Sequence, residues 1–215
     1  MEIRTLEEHQ YIIFLFNIAI FRYLCYIYSI KNIIGEEKME LFENTINTKE
    51  IYNGKIFKIK QDLVELPDGS TTTRDLLIHN GGVGVIAVNS EGKIPMVRQF
   101  RKGIEQISLE IPAGKLELGE NPETCGIREL QEETGYIAKS FEYLTKFSPT
   151  PAYCSEIIYI YLANGLEKGK VNLDDDEFLN VEKISLDTAK KMLLNGEIHD
   201  SKTIIALYSY FNLIK

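Results

Sequence analysis

Residues 114–136, GKLELGENPETCGIRELQEETGY, constrain this chain more than any other stretch. Asn121 followed by Pro122 reads as a helix start. The Asn side chain accepts hydrogen bonds from the first free backbone amides, and Pro suits the first helical position because its missing N–H is not needed there. The pattern predicts a helix through Thr134, ended by Gly135 in the left-handed conformation that closes a helix at little cost. At about 100° per residue, Glu129, Glu132 and Glu133 fall within one arc of roughly 100°. Like charges one turn apart destabilise a helix, so this face needs compensation. One reading is a solvated acidic face. The other is a platform for a divalent metal ion, a hard cation that takes carboxylate oxygens. Ile127 and Leu130 are expected on the opposite side, packed into a core.

The complete spacing runs Gly114, Glu120, Arg128-Glu129-Leu130, Glu132-Glu133, Gly135. In that order the segment resembles the signature of the Nudix hydrolase family. It departs from the family pattern only at the last position, where Tyr136 stands in place of an aliphatic residue. The resemblance implies an α/β (α+β) fold, an α/β/α sandwich around a mixed β-sheet. It also implies roles for single residues. Glu129 and Glu133 are expected as direct metal ligands, Glu132 as a ligand directly or through water, and Ala113 as a ligand through its carbonyl. Arg128 is expected to orient the glutamates by ion pairing, with Glu120 in a supporting place in the loop. Mg²⁺ is the implied ion, with Mn²⁺ as a substitute.

The flanks resemble the ADP-ribose pyrophosphatase branch of that family. Pro151 lies sixteen residues after Gly135, inside the run Ser148 to Glu156. Val97-Arg98-Gln99-Phe100-Arg101, Leu109 to Gly114 and His199-Asp200-Ser201-Lys202-Thr203 are similar to that branch as well. By this resemblance Arg101 contacts the substrate diphosphate, Glu110 helps to bind the adenosine or ribose end, and Pro151 lies in the substrate loop. Arg74 could reach the substrate from a strand. The catalytic base is expected in the acidic loop 173–178, with Glu177 first and Asp175 as runner-up; Glu177 could also bind metal. The implied reaction is hydrolysis of ADP-ribose to AMP and ribose 5-phosphate. Its rivals are hydrolysis of another nucleoside diphosphate sugar and a non-catalytic ADP-ribose sensor.

The 215 residues carry a net charge of -8 and no basic run that could track a phosphate backbone, which argues against a nucleic-acid partner. Three dispersed cysteines, Cys25, Cys125 and Cys154, fit a reducing compartment, the cytoplasm. Residues 11–30 are almost continuously apolar and about long enough to span a bilayer, yet Arg22 in their midst costs about 2.5–3.5 kcal/mol on insertion scales. Three readings compete for residues 1–38: a membrane anchor with the catalytic domain in the cytoplasm, a non-native start ahead of Met39, or a helix packed on the domain or in a dimer interface.

After Met39 the chain reads as short strands with turn signals at Asn53-Gly54 and Pro67-Asp68-Gly69. Residues 39–80 are expected to form a small antiparallel β extension, which by the family resemblance pairs two copies into a homodimer. Residues 81–215 are expected to form the hydrolase domain. Within it, strands are expected near 83–88, 94–100, 107–111, 141–147, 157–162 and 179–184, with closing helices near 186–195 and 201–213.

Overall fold

The computed structural model describes residues 41–173 and 177–213. The expectations for residues 1–38 and for Asp175 lie outside the described residues. Among the described residues no helix is long and apolar enough to cross a membrane.

Three strands open the fold: β1 (Asn44–Asn53), β2 (Lys58–Glu65) and β3 (Thr71–Ile78), in the sheet order β1-β2-β3. The predicted Asn53-Gly54 turn is present, with the Gly54 N–H donating to the Phe57 carbonyl at 3.1 Å. β1 begins earlier than the apolar residues suggest and is exposed along its whole length. Residues 65–71 group with residues 41–44 in a separate unit, where a turn is closed by the Leu66 N–H on the Ser70 carbonyl at 2.8 Å.

The larger unit is built on β4 (Gly82–Ala87), a strand buried at every residue. A strand buried on both faces reads as a continuous apolar run, and here it lies in the middle of a mixed sheet. β4 pairs parallel to β10 (Ile158–Asn164) and antiparallel to β7 (Ala113–Lys115), while β10 pairs antiparallel to β9 (Ser140–Phe147). The order is β7-β4-β10-β9. A second, antiparallel sheet has the order β12-β5-β6, from β5 (Lys93–Arg101), β6 (Gln106–Glu110) and β12 (Leu179–Ser185). The two-residue strands β8 (Tyr136–Ile137) and β11 (Glu167–Lys168) form a small pair.

Alternate residues of β4 feed two cores. Val83, Val85 and Ala87 pack with Leu116, Cys125, Leu130 and Tyr161 beneath helix α1 (Pro122–Thr134). Ile86 joins Ile94, Met96, Ile111 and Ile160 beneath α2 (Leu186–Leu194) and α3 (Ser201–Leu213). Helices therefore cover both faces, the sandwich that the sequence implies. Of the two residues expected to anchor α1, Leu130 is fully buried, but Ile127 is 42% exposed. Cys125 and Gly126 bury the flank of the helix that Ile127 was expected to share.

Candidate active site

Helix α1 starts and stops where its local chemistry dictates. The Asn121 side chain accepts from the N–H groups of Glu123 at 2.9 Å and Thr124 at 3.3 Å, with Pro122 as first residue. Gly135 closes the helix at φ 70°, its N–H donating to the Gln131 carbonyl at 2.8 Å. These caps fix where α1 begins and ends, while Cys125, Gly126 and Leu130, packed inward, set the face on which its glutamates stand.

Arg128 gathers three carboxylates. One Nη donates to Glu129 at 2.8 Å and to Glu132 at 2.9 Å, and the other approaches Glu120 at 3.4 Å. Glu120 is itself fixed by the Glu117 N–H at 2.9 Å. The guanidinium thus neutralises the clustered charge of the helix face and holds its rotamers. Glu133 stands apart. It takes one hydrogen bond, from the Ala113 N–H at 2.9 Å, and has no ion pair among the described residues.

β7 makes room for this arrangement. A Cβ on Gly114 would lie 1.9 Å from both the Glu129 carboxyl carbon and its Oε1. Only glycine lets the strand run so close beneath that carboxylate.

The carboxylates line a cleft of about 960 Å³. Its wall includes Ala113, Gly114, Glu129, Glu132, Glu133 and Glu177, and also Arg101, Arg128 and Lys202. The stretch leading to the acidic loop is tied to the end of α1: the Gly169 N–H donates to the Gly135 carbonyl at 2.6 Å and the Asn172 N–H to the Glu132 carbonyl at 3.0 Å. Burial pushes the Glu133 carboxyl up to about 8; the Ala113 N–H opposes this, and the charges of Glu129 and Glu177 add to it. Burial also raises Glu129, against the pull of Arg128. The Cys125 thiol, pushed up to about 12 by burial and then by Glu120 and Glu129, is an inert packing group.

This donor set fits a hard divalent cation: buried carboxylates short of positive charge, beside the carbonyl-bearing strand of Ala113. Among the described residues no three acidic side chains are close enough to enclose an ion as they stand, since Arg128 draws Glu129 and Glu132 to itself. An ion would compete with Arg128 for those two and would meet Glu133 uncontested.

The other expected site residues are placed unequally. Arg101 lines the cleft, but Glu110 lies beneath it, its side chain 2% exposed and gripped by Arg101 at 2.8 and 2.6 Å. Burial alone would raise Glu110, but the bonds from Arg101 and the charge and bond of Lys202 bring it down to about 2. A carboxyl depressed in the folded state stabilises the fold above its ordinary value of 4.5, and that contribution is lost as pH falls towards 2. Arg74 lies on β3 and is not among the cleft-lining residues, and Pro151 sits on an exposed turn closed by the Cys154 N–H on the Thr150 carbonyl at 3.0 Å. That loop is stitched to β3 by the Leu77 N–H on the Tyr153 carbonyl at 2.7 Å, and it delivers Glu156 to the cleft wall. Sequence reasoning gave no role to Lys202, which is almost buried and lines the cleft. Its only signal was the similarity of the run from His199 to Thr203.

Comparison with known proteins agrees with this geometry. The NUDIX domain family matches residues 78–207, and the nucleoside diphosphate sugar hydrolase N-terminal domain family matches residues 43–77. A methanol dehydrogenase activator of Bacillus methanolicus is 46% identical over 167 residues, 77% of this chain and 90% of that protein. An ADP-ribose pyrophosphatase of Bacillus subtilis is 44% identical over 169 residues, 78% of this chain and 91% of that protein. A crystal structure of an ADP compounds hydrolase shares the fold, with a TM-score of 0.72 at 21% identity, covering 80% of this chain and 94% of that one. With its glutamate-bearing helix, its sandwich and the match along 78–207, this chain belongs to the Nudix hydrolase family.

Proposed function

We propose that this protein hydrolyses the diphosphate of ADP-ribose to AMP and ribose 5-phosphate, with Mg²⁺ as its ion and Mn²⁺ as a substitute. The observation that carries this reading is a cleft whose wall holds Glu129, Glu132, Glu133 and Glu177 together with Arg101 and Lys202. Four carboxylates alone would repel a diphosphate; a pyrophosphate-cleaving site needs cations as well. The 44% identity to an ADP-ribose pyrophosphatase supports the same substrate.

In the proposed reaction the oxygen of water bonds to the adenosyl phosphorus, the bridging P–O bond breaks, and the bridging oxygen leaves on ribose 5-phosphate. Glu177 takes the proton of the attacking water, with Asp175 as the alternative on the same loop. When bound by Glu129, Glu132, Glu133 and the Ala113 carbonyl, with Glu177 as a further candidate ligand, a divalent ion neutralises phosphate oxygens and lowers the pKa of water. Arg128 releases or holds Glu129 and Glu132. Arg101 meets the diphosphate, and Glu110 acts through Arg101.

We assign residues 39–80 to a dimerising extension and 81–215 to the hydrolase domain. The exposed Ile46, Ile51 and Tyr52 of β1 support pairing with a second copy, from which Arg74 could reach a neighbouring cleft. Light scattering should then give twice the chain mass of 24.6 kDa, and a monomer would remove the shared-cleft argument.

The test of function is a panel of ADP-ribose, GDP-mannose, UDP-glucose, NADH and a nucleoside triphosphate, with Mg²⁺ and with chelator. Chelator-sensitive AMP release, fastest from ADP-ribose, is expected. Faster turnover of another sugar nucleotide reassigns the substrate, and binding of ADP-ribose without turnover makes the protein a sensor. The 46% relative favours one second reading, activation of a dehydrogenase. An unchanged rate on adding this protein to a methanol dehydrogenase assay would remove it.

A further inference from the structure

The geometry points to Lys202 as a positioning residue that sets Arg101 for phosphate, an inference that rests on the proposed pyrophosphate-cleaving cleft. Four charged groups form one hydrogen-bonded chain across β5, β6 and the start of α3. Arg101 donates through Nε and Nη to the two oxygens of Glu110, at 2.8 and 2.6 Å. The Lys202 ammonium donates to Glu110 at 2.5 Å and to Asp200 at 2.8 Å. Asp200 is locked in turn: its second oxygen accepts from the Thr203 N–H at 2.9 Å and from the Thr203 hydroxyl at 2.6 Å. The Thr203 hydroxyl oxygen accepts the Ile111 N–H at 2.9 Å, which ties α3 to the residue after Glu110.

The polarity of this chain has a direction. Side-chain exposure is 2% at Glu110 and 16% at Asp200, so both anions are turned inward. Both cations line the cleft, Lys202 at 11% exposure and Arg101 at 43%. The charges cancel in number, so removing the lysine leaves the buried Glu110 and the half-buried Asp200 with one guanidinium between them, bonded to Glu110 alone. A guanidinium has five N–H donors, and Glu110 occupies two of them here, which leaves three for a ligand. Lys202 has three, with two committed to Glu110 and Asp200. Sharing Glu110 with Lys202 keeps that carboxylate in its bidentate pose, and this pose presents the remaining Arg101 donors as a flat fork. A fork meets phosphate oxygens two at a time, which is why its orientation governs binding.

Because Lys202 acts through Arg101, its effect should vanish when Arg101 loses its fork. The test is a double-mutant cycle of Lys202→Met and Arg101→Lys in the full chain. It is read by KM and kcat on the best panel substrate and by calorimetric binding of inorganic pyrophosphate. Lys202→Met is expected to raise KM about tenfold with kcat within about threefold. Adding it to Arg101→Lys should cost less than about twofold more. Costs that multiply would mean that Lys202 touches the ligand independently, and would overturn the inference; so would an unchanged KM. If Lys202→Met does not fold, Lys202→Leu, which likewise cannot donate to Glu110, replaces it in the same cycle with the same criterion. A wild-type protein that binds pyrophosphate and shows the coupling but cleaves no substrate would end the functional proposal and leave this inference standing. One that binds no pyrophosphate would end both.

Discussion

Glu133→Gln is expected to lower kcat/KM by on the order of a thousandfold, because it removes a carboxylate through which several kcal/mol of charge stabilisation would be delivered. The same substitution has a second, independent signature in the metal-free protein. The Glu133 carboxyl ionises near 8 in the fold against an ordinary 4.5, chiefly because it is buried. The unfolded chain therefore loses that proton first. The contribution of Glu133 to stability is complete below 4.5 and declines as pH rises towards 8. Thermal melts of the metal-free wild type should show this decline between those limits, and Glu133→Gln should lack it. Mg²⁺ needs the ionised carboxylate, so its stabilising shift in melting temperature should be small at mildly acidic pH and large above pH 8. A variant that kept both the pH slope and the Mg²⁺ shift would show that another group binds the ion.

Gly114→Ala is expected to do comparable damage with the smallest of side chains. The added Cβ would meet the Glu129 carboxylate at 1.9 Å, far inside contact distance, so Glu129 must swing away from Arg128 and the cleft. A displaced catalytic constellation loses about a hundredfold per ångström of error, and overpacking costs about 1–3 kcal/mol of stability. Activity should therefore fall by about a hundredfold or more while the circular dichroism spectrum is retained. Gly103→Ala, whose Cβ would meet nothing within 4 Å, is the matched control. If Gly114→Ala turned over like the control, Glu129 would not need its present position.

How much of this was legible in the sequence follows from how local each feature is. Helix α1 was legible to the residue, since Asn121, Pro122 and Gly135 act on backbone groups within a few positions of themselves. The arc of Glu129, Glu132 and Glu133 followed from helical geometry alone. β7 was not legible, because Ala113–Lys115 has no periodic pattern and becomes a strand only through its register with β4. Ile127 was misplaced because the arc of the helix facing the sheet is decided by what packs there, and Cys125 and Gly126 are small enough to sit closest. Lys202 was invisible for a plainer reason. Its partner Glu110 is 92 positions away, and nothing in either residue type marks the pairing. The burial of Glu110 was hidden too, because nothing in the residues beside it marks a buried carboxylate.

The bond from the Asn172 N–H to the Glu132 carbonyl turns the acidic loop into a short leash. Between Asn172 and Leu179, where β12 begins, lie only residues 173–178, so the two pins can stand no more than about 25 Å apart even with the chain fully stretched. One end is pinned to the helix that carries the carboxylates, the other to the sheet that carries Arg101. Glu177 is two residues from the second pin, so its backbone cannot stray more than about 7 Å along the chain from β12. If Glu177 takes the proton, as proposed, the acceptor is tethered beside the cleft whose wall it lines. Its local concentration is fixed by covalent geometry, and the entropy spent in bringing it to the cleft stays small at any stage of turnover.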